Sequence, residues 1–275
     1  MNDKVLLHVE GSWRGEWALA VAALLQRHMK AELTLLTSIA GEPQLEAVLA
    51  RAKAQWGLLW EGLPRVAHPG TVEEIILTEA RAHPYDLILV APAGRHGLSL
   101  LLHGSRVGRV ATAANTSVLV ARAPLRAVRR ILVTIAGNPH SEDDLAAAMR
   151  FARAFRAHTT VLHVLSTVPL VFAGLPEHKP ALADFLASDE MAARQMRSTR
   201  EALAAEGLEV DLKIRVGLVV EEIINEIAQG GYDLLVIGAH FPIGPMGDLV
   251  EDLASRLIRR SPICTLVVRP PASVG

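Results

Sequence analysis

Tyr85-Asp86-Leu87-Ile88-Leu89-Val90 is followed 147 residues later by Tyr232-Asp233-Leu234-Leu235-Val236-Ile237. Working outward, His68-Pro69-Gly70-Thr71 returns as Arg215-Val216-Gly217-Leu218 at the same offset, each with Glu-Glu-Ile-Ile close behind (Glu73–Ile76 and Glu221–Ile224). A repeat of this length is a duplicated domain, too long for a solenoid unit. Each copy carries short continuous apolar runs, which suit strands buried on both faces. Stretches with helical spacing separate them. That alternation predicts an α/β fold: two tandem doubly wound domains with parallel sheets flanked by helices.

In the first copy the pattern predicts strands over Lys4–Val9, Glu32–Thr37, Arg65–Ala67, Asp86–Ala91 and Ser117–Arg122. Helices fall over Trp13–Met29, Glu42–Trp60 (with Leu59 and Trp60 inward), Val72–Ala82 and Gly104–Ala114. Residues 124–128 read as a linker and Arg130–Val133 restarts the pattern, giving domains 1–123 and 129–271. Early matches lie 126 residues apart (Ala31-Glu32 against Ala157-His158) and later ones 147, which places a 21-residue insertion at roughly Val168 to Asp189. It reads as a longer surface connection before a helix, or as a flap covering a cleft or packing on a neighbour.

The 275 residues carry a net charge of -1, which gives no electrostatic reason to expect nucleic acid or anionic membrane as a partner. A single cysteine, Cys264, excludes an internal disulfide, suits a reducing cytoplasm, and falls in a strand predicted to be buried. The chain opens without signal-peptide architecture, and its most apolar stretch, Val161 to Leu175, is too short to span a bilayer. A cytoplasmic location is the expectation.

After the fourth strand stand Ala91-Pro92-Ala93-Gly94, nine further residues, then Gly104-Ser105 at the start of a helix. A strand turning through glycines brings backbone amides close to phosphate oxygens, and a helix N-terminus aims its N–H groups and positive dipole end at the same place. Order, spacing and duplication together resemble the universal stress protein family in its ATP-binding branch, whose loop reads Gly-x2-Gly-x9-Gly-Ser/Thr. Val9-Glu10-Gly11-Ser12 and the closing strand Ser117-Val118-Leu119-Val120 are similar as well. The resemblance implies five strands per domain in the order 3-2-1-4-5. It also implies an intramolecular pseudo-dimer in which Val118–Ala121 and Leu266–Val268 pair antiparallel. The ligand it implies is ATP or a related adenine nucleotide, with Mg2+ as its companion. The residues that match the family's nucleotide site are Glu10, Gly11, Ser38, Ala91, Gly94, Arg95, Gly104, Ser105, Arg106, Ser117 and Val118. Arg109, His96 and His103 add cationic or neutral charge around them. Two positions depart from the pattern: Ala91-Pro92 replaces the first glycine, and Glu10 stands where the family has Asp.

The second copy departs further. Its strand four runs into Gly238-Ala239-His240-Phe241, Glu251-Asp252 replaces Gly-Ser, Ala136 replaces the acid, and Asp248 adds a carboxylate. A carboxylate about 5 Å from a phosphate charge costs on the order of 3 kcal/mol at an effective dielectric near 20. The second copy is therefore not expected to hold a nucleotide. His163 reads as a packed core histidine, and Ser141 with Asp144 as a helix N-terminal cap. No metal-ligand spacing and no general base stands out in the sequence, so any ATPase activity is expected to be slow and incidental. The resemblance implies a stress-response or signalling protein rather than an enzyme. The alternative is a nucleotide-free interaction protein that keeps only the fold. An unidentified protein partner and a homodimer of the whole chain fit either reading.

Overall fold

A computed structural model describes residues 3–9, 15–39, 42–91, 106–166, 180–239 and 253–269. The chain divides into two compact units, residues 1–127 with 262–275, and residues 128–261.

The first unit contains β1 (Lys4–His8), α1 (Gly15–Met29), β2 (Glu32–Ser38), α2 (Glu42–Trp56), β3 (Arg65–His68), α3 (Val72–Ala82), β4 (Leu87–Val90), α4 (Arg106–Ala113) and β5 (Ser117–Val120). Its sheet runs β3-β2-β1-β4-β5, all parallel. Val5, Leu6, Leu7, Ile88, Leu89 and Val118 are at most 1% exposed, as strands covered on both faces require. The strand β10 (Cys264–Val268), which closes the second repeat in sequence, adds antiparallel to β5 with Leu266 opposite Leu119. This is the antiparallel pairing the family resemblance implies, and it covers what would otherwise be an open sheet edge. Cys264 is buried there.

The second unit contains β6 (Arg130–Ile135), α5 (Ser141–Phe155), β7 (His158–Ser166), α6 (Leu182–Ala187), α7 (Met191–Ala204), β8 (Val210–Gly217), α8 (Val219–Gly230), β9 (Leu234–Gly238) and α9 (Leu253–Arg260). Its strands run β8-β7-β6-β9, all parallel. The described part of the insertion, 180–189, includes α6, whose Phe185 is 4% exposed and stacks on His163 at 5.5 Å. His163 is itself buried, and its Nδ1 lies 3.0 Å from the carbonyl of Ile135.

Two local expectations are corrected. Helix α2 stops at Trp56, because Gly57 enters the left-handed region (φ +70) and its N–H returns to Lys53 O. Leu59 is consequently 65% exposed, held by a double hydrogen bond between its backbone and the amide of Gln26. Ser141 does not cap α5: its hydroxyl accepts from Ala136 N at 3.2 Å, while Asn138 Oδ1 accepts from Ser141 N. Asp144 is buried instead, with no side-chain cap bond at that helix end.

Among the described residues, each unit buries one glutamate at the same repeat position. Glu79 of α3 accepts from Tyr85 Oη (2.8 Å) and meets His68 Nε2 (3.0 Å) and His83 Nδ1 (2.9 Å). Glu226 of α8 accepts from Tyr232 Oη (2.7 Å), Lys213 Nζ (2.7 Å) and Arg215 Nε (2.8 Å). Burial pushes both carboxyls up, and the surrounding donors and positive charge outweigh it, so both end below the usual range.

Candidate functional site

In a doubly wound sheet the crevice opens past the carboxyl ends of the strands where the order reverses. In the first unit that point lies between β1 and β4, paired with Leu7 opposite Leu89. The end of β1 is fixed from β2: Val9 N donates to Leu36 O at 2.9 Å, and Thr37 Oγ1 donates to Val9 O at 3.3 Å. The second unit repeats this tether with a different side chain, His163 on the carbonyl of Ile135. Ala91 leaves β4 at the crevice, buried at 8% exposure. Ser38 stands half-buried at the end of β2, on the same rim.

Glu10, Gly11, Gly94, Arg95, Gly104 and Ser105 lie outside the described residues, as do His96, His103, His240, Phe241, Asp248, Glu251 and Asp252. Arg106 opens α4. Arg109, one turn on, bonds through Nε to Glu73 Oε2 at 2.6 Å, so its charge is directed at α3.

Ser117 and Val118 are corrected. They align with Leu87 and Ile88, at the start of β4, so they sit toward the opposite end of the sheet from Ala91. Val118 is fully buried, and Ser117 Oγ accepts from the backbone N–H of Arg269 at 3.1 Å. At the crevice end of β5 the chain instead offers Val120 and Ala121, whose N–H donates to Val90 O.

The second unit shows what the crevice looks like from the other side of the repeat. A cavity of about 160 Å³ opens at the ends of β6 and β7, lined by Thr134, Ala136, Val164, Ser166, Val219 and Ile223. Thr134 Oγ1 is buried there without a hydrogen-bond partner among the described residues. The matching first-unit positions include His8, Ser38, Val72 and Ile76. His8 is 3% exposed, and burial lowers it to about 4, so its imidazole is neutral at physiological pH. Sequence reading passed over His8, although a polar residue inside the apolar run Val5–Val9 was the available signal.

Beside the same crevice, Asp144 faces the end of β9. A methyl group at Gly238 would lie 2.5 Å from Asp144 Oδ2, so the carboxyl occupies space a side chain there would need. Burial, then the charge of Asp143, raises Asp144 to about 8. The first copy carries Ala18 and Ala91 at these two positions. A larger cavity of about 750 Å³ lies away from the crevice, between β8 and Pro180–Leu182. Lys213 and Arg215 on its wall are already bound to Glu226 and Glu222. Among the described residues no group of three His, Cys, Asp or Glu side chains could hold a metal ion, and no helix is long and apolar enough to cross a membrane.

Two segments, 40–122 and 127–269, match the model of the universal stress protein family. No curated protein matches the chain. Among solved structures, a universal stress protein of Archaeoglobus fulgidus DSM 4304 is similar at 16% identity and TM-score 0.63, covering 97% of this chain and 96% of that one. A functionally unknown protein of Pseudomonas aeruginosa PAO1 aligns at 18% identity and TM-score 0.67, covering 98% and 93%. A protein of Pseudomonas aeruginosa UCBPP-PA14, assigned to the universal stress proteins, aligns at 18% and 0.68 over 98% and 94%. At these identities the likeness concerns the fold.

Proposed function

We propose that this chain, which belongs to the universal stress protein family, binds ATP or a related adenine nucleotide in its first unit and acts through that occupancy as a cytoplasmic stress-response or signalling protein. The observation that carries the reading is the loop between β4 and α4, with glycines at 94 and 104 and Ser105 before the helix, attached where β1 and β4 lie side by side. A glycine-rich segment running into a helix would offer a polyanion backbone amides, the Ser105 hydroxyl and the helix N-terminus. Mg2+ would arrive with the phosphates. The base would sit at the rim near Ser38 with His8 beneath it, where a neutral ring nitrogen can donate or accept. The second unit would stay without nucleotide: its sequence places carboxylates at 248, 251 and 252.

Equilibrium dialysis and thermal shift with ATP test this directly. Binding by the intact chain should fall by more than about tenfold in Gly104→Glu and Ser105→Asp, which place a carboxylate where phosphate is expected. No shift at millimolar ATP would leave a nucleotide-free interaction protein as the better account.

A further inference from the structure

Helix α4 is a poor helix by its own sequence. It is eight residues long, Arg106-Val107-Gly108-Arg109-Val110-Ala111-Thr112-Ala113, with a glycine inside and three β-branched residues. Short helices of this kind are marginal without outside support. It also has no basic residue in its last turn to meet the negative end of the dipole, unlike α9, which ends in Arg259 and Arg260.

The missing cation comes from the far end of the chain. Arg269, directly after β10, directs Nη2 at the carbonyls of Ala111 (3.2 Å) and Thr112, two of the acceptors a helix C-terminus leaves unsatisfied. Its backbone is fixed too, since its N–H donates to Ser117 Oγ and β10 is in register with β5. The guanidinium therefore reaches α4 from the residue directly after β10, whose backbone is tied to β5.

We infer that Arg269 is a positioning residue for the first unit's ligand site, ordering α4 from its C-terminal end so that its N-terminal amides are held ready for an anion. The ligand part rests on the nucleotide reading above. A helix that is ordered before binding loses less conformational entropy on binding, so the anchor raises affinity without touching the ligand. The last strand of the second repeat is thereby part of the first repeat's site.

The test uses the full chain with Arg269→Ala and Arg269→Lys, ATP·Mg2+ as probe, and hydrogen exchange without nucleotide. In Arg269→Ala, ATP should bind about three- to tenfold more weakly, and the amides of Val110–Ala114 should exchange about tenfold faster. The amides of Thr265–Val268 should keep their protection. Arg269→Lys, which still offers a charged donor, should recover most of both effects. Wild-type affinity together with wild-type protection of 110–114 in the alanine variant would overturn the inference while leaving nucleotide binding intact. Loosening spread evenly over β5, β10 and α4, unrescued by lysine, would also overturn it in favour of general destabilisation. If the wild-type chain itself binds no ATP, the nucleotide reading fails, and the exchange comparison alone decides the anchoring.

Discussion

Glu79 and Glu226 occupy the same place in the two repeats, both essentially excluded from solvent and both bonded to a tyrosine six residues on, yet they differ in company. Glu79 has two imidazoles beside it, whereas Glu226 has an ammonium and a guanidinium. An imidazole can shed its charge near neutral pH, and a guanidinium cannot. Without its carboxylate the second unit would keep an ammonium and a guanidinium beside the gap, with only Glu222 left to pair with Arg215. The repeat conserves a buried acid and its tyrosine, and lets the counter-charge vary.

The sharpest way to break that comparison is to remove each acid in turn. Glu226→Gln should cost more, about 2–3 kcal/mol, because it removes the charged acceptor shared by Lys213, Arg215 and Tyr232, although Glu222 still pairs with Arg215. Glu79→Gln should cost only about 1–2 kcal/mol. Urea unfolding of both variants at pH 7 checks the order, and equal losses would refute it. Both carboxyls lie below their ordinary range, so their contribution is present above the unfolded carboxylate pKa near 4.5 and disappears as the pH falls through the folded value.

Asp144 has the opposite sign. Its carboxyl is raised from 3.8 to about 8, so between those values the folded state holds a proton that the unfolded state has released. Stability should decline as the pH rises from about 4 to about 8, and Asp144→Asn should remove that slope, stabilising the protein by about 2–4 kcal/mol at pH 8. Denaturant midpoints across that range read the effect directly.

A smaller change tests whether the two copies exchanged partners as pairs. Gly238→Ala places a methyl group against the Asp144 carboxyl and should cost about 1–3 kcal/mol. Asp144→Ala in the same chain, which recreates the Ala18 and Ala91 of the first copy, should restore most of the loss. Additive losses would show that the two positions are independent.

The smallest effect concerns helix entry. Thr71 and Glu74 form a reciprocal cap on α3, whereas Leu218 begins α8 with no side-chain cap and is 54% exposed. Leu218→Thr should raise stability by about 1 kcal/mol, visible as a higher thermal midpoint.

What could be read from sequence follows the same division between pattern and partner. The buried strands announce themselves because continuous apolar runs are forced by a sheet covered on both faces, whereas the pairing of β5 with β10 is implied only by the family resemblance. The end of α2 is not legible in the pattern: apolar spacing continues through Leu59 and Trp60, and only the backbone reversal at Gly57 shows where the helix ends. Asp144 looked like a helix-start residue, because sequence cannot tell a carboxyl facing water from one packed against a glycine 94 positions away. Ser117 and Val118 match the family's site only by likeness to a motif, and strand register sets them away from the crevice. Arg269 has no local signature, since its purpose lies in carbonyls more than 150 residues earlier.

That separation has a temporal consequence. Between Val120 and Cys264 the ribosome must add 144 residues, which takes roughly 7–30 seconds at ordinary rates of synthesis. For that interval the nascent first repeat carries the bare hydrogen-bonding groups of β5 with nothing yet made to cover them. The protein's most vulnerable moment thus comes before its last strand exists, and slowing translation late in the message should lengthen it.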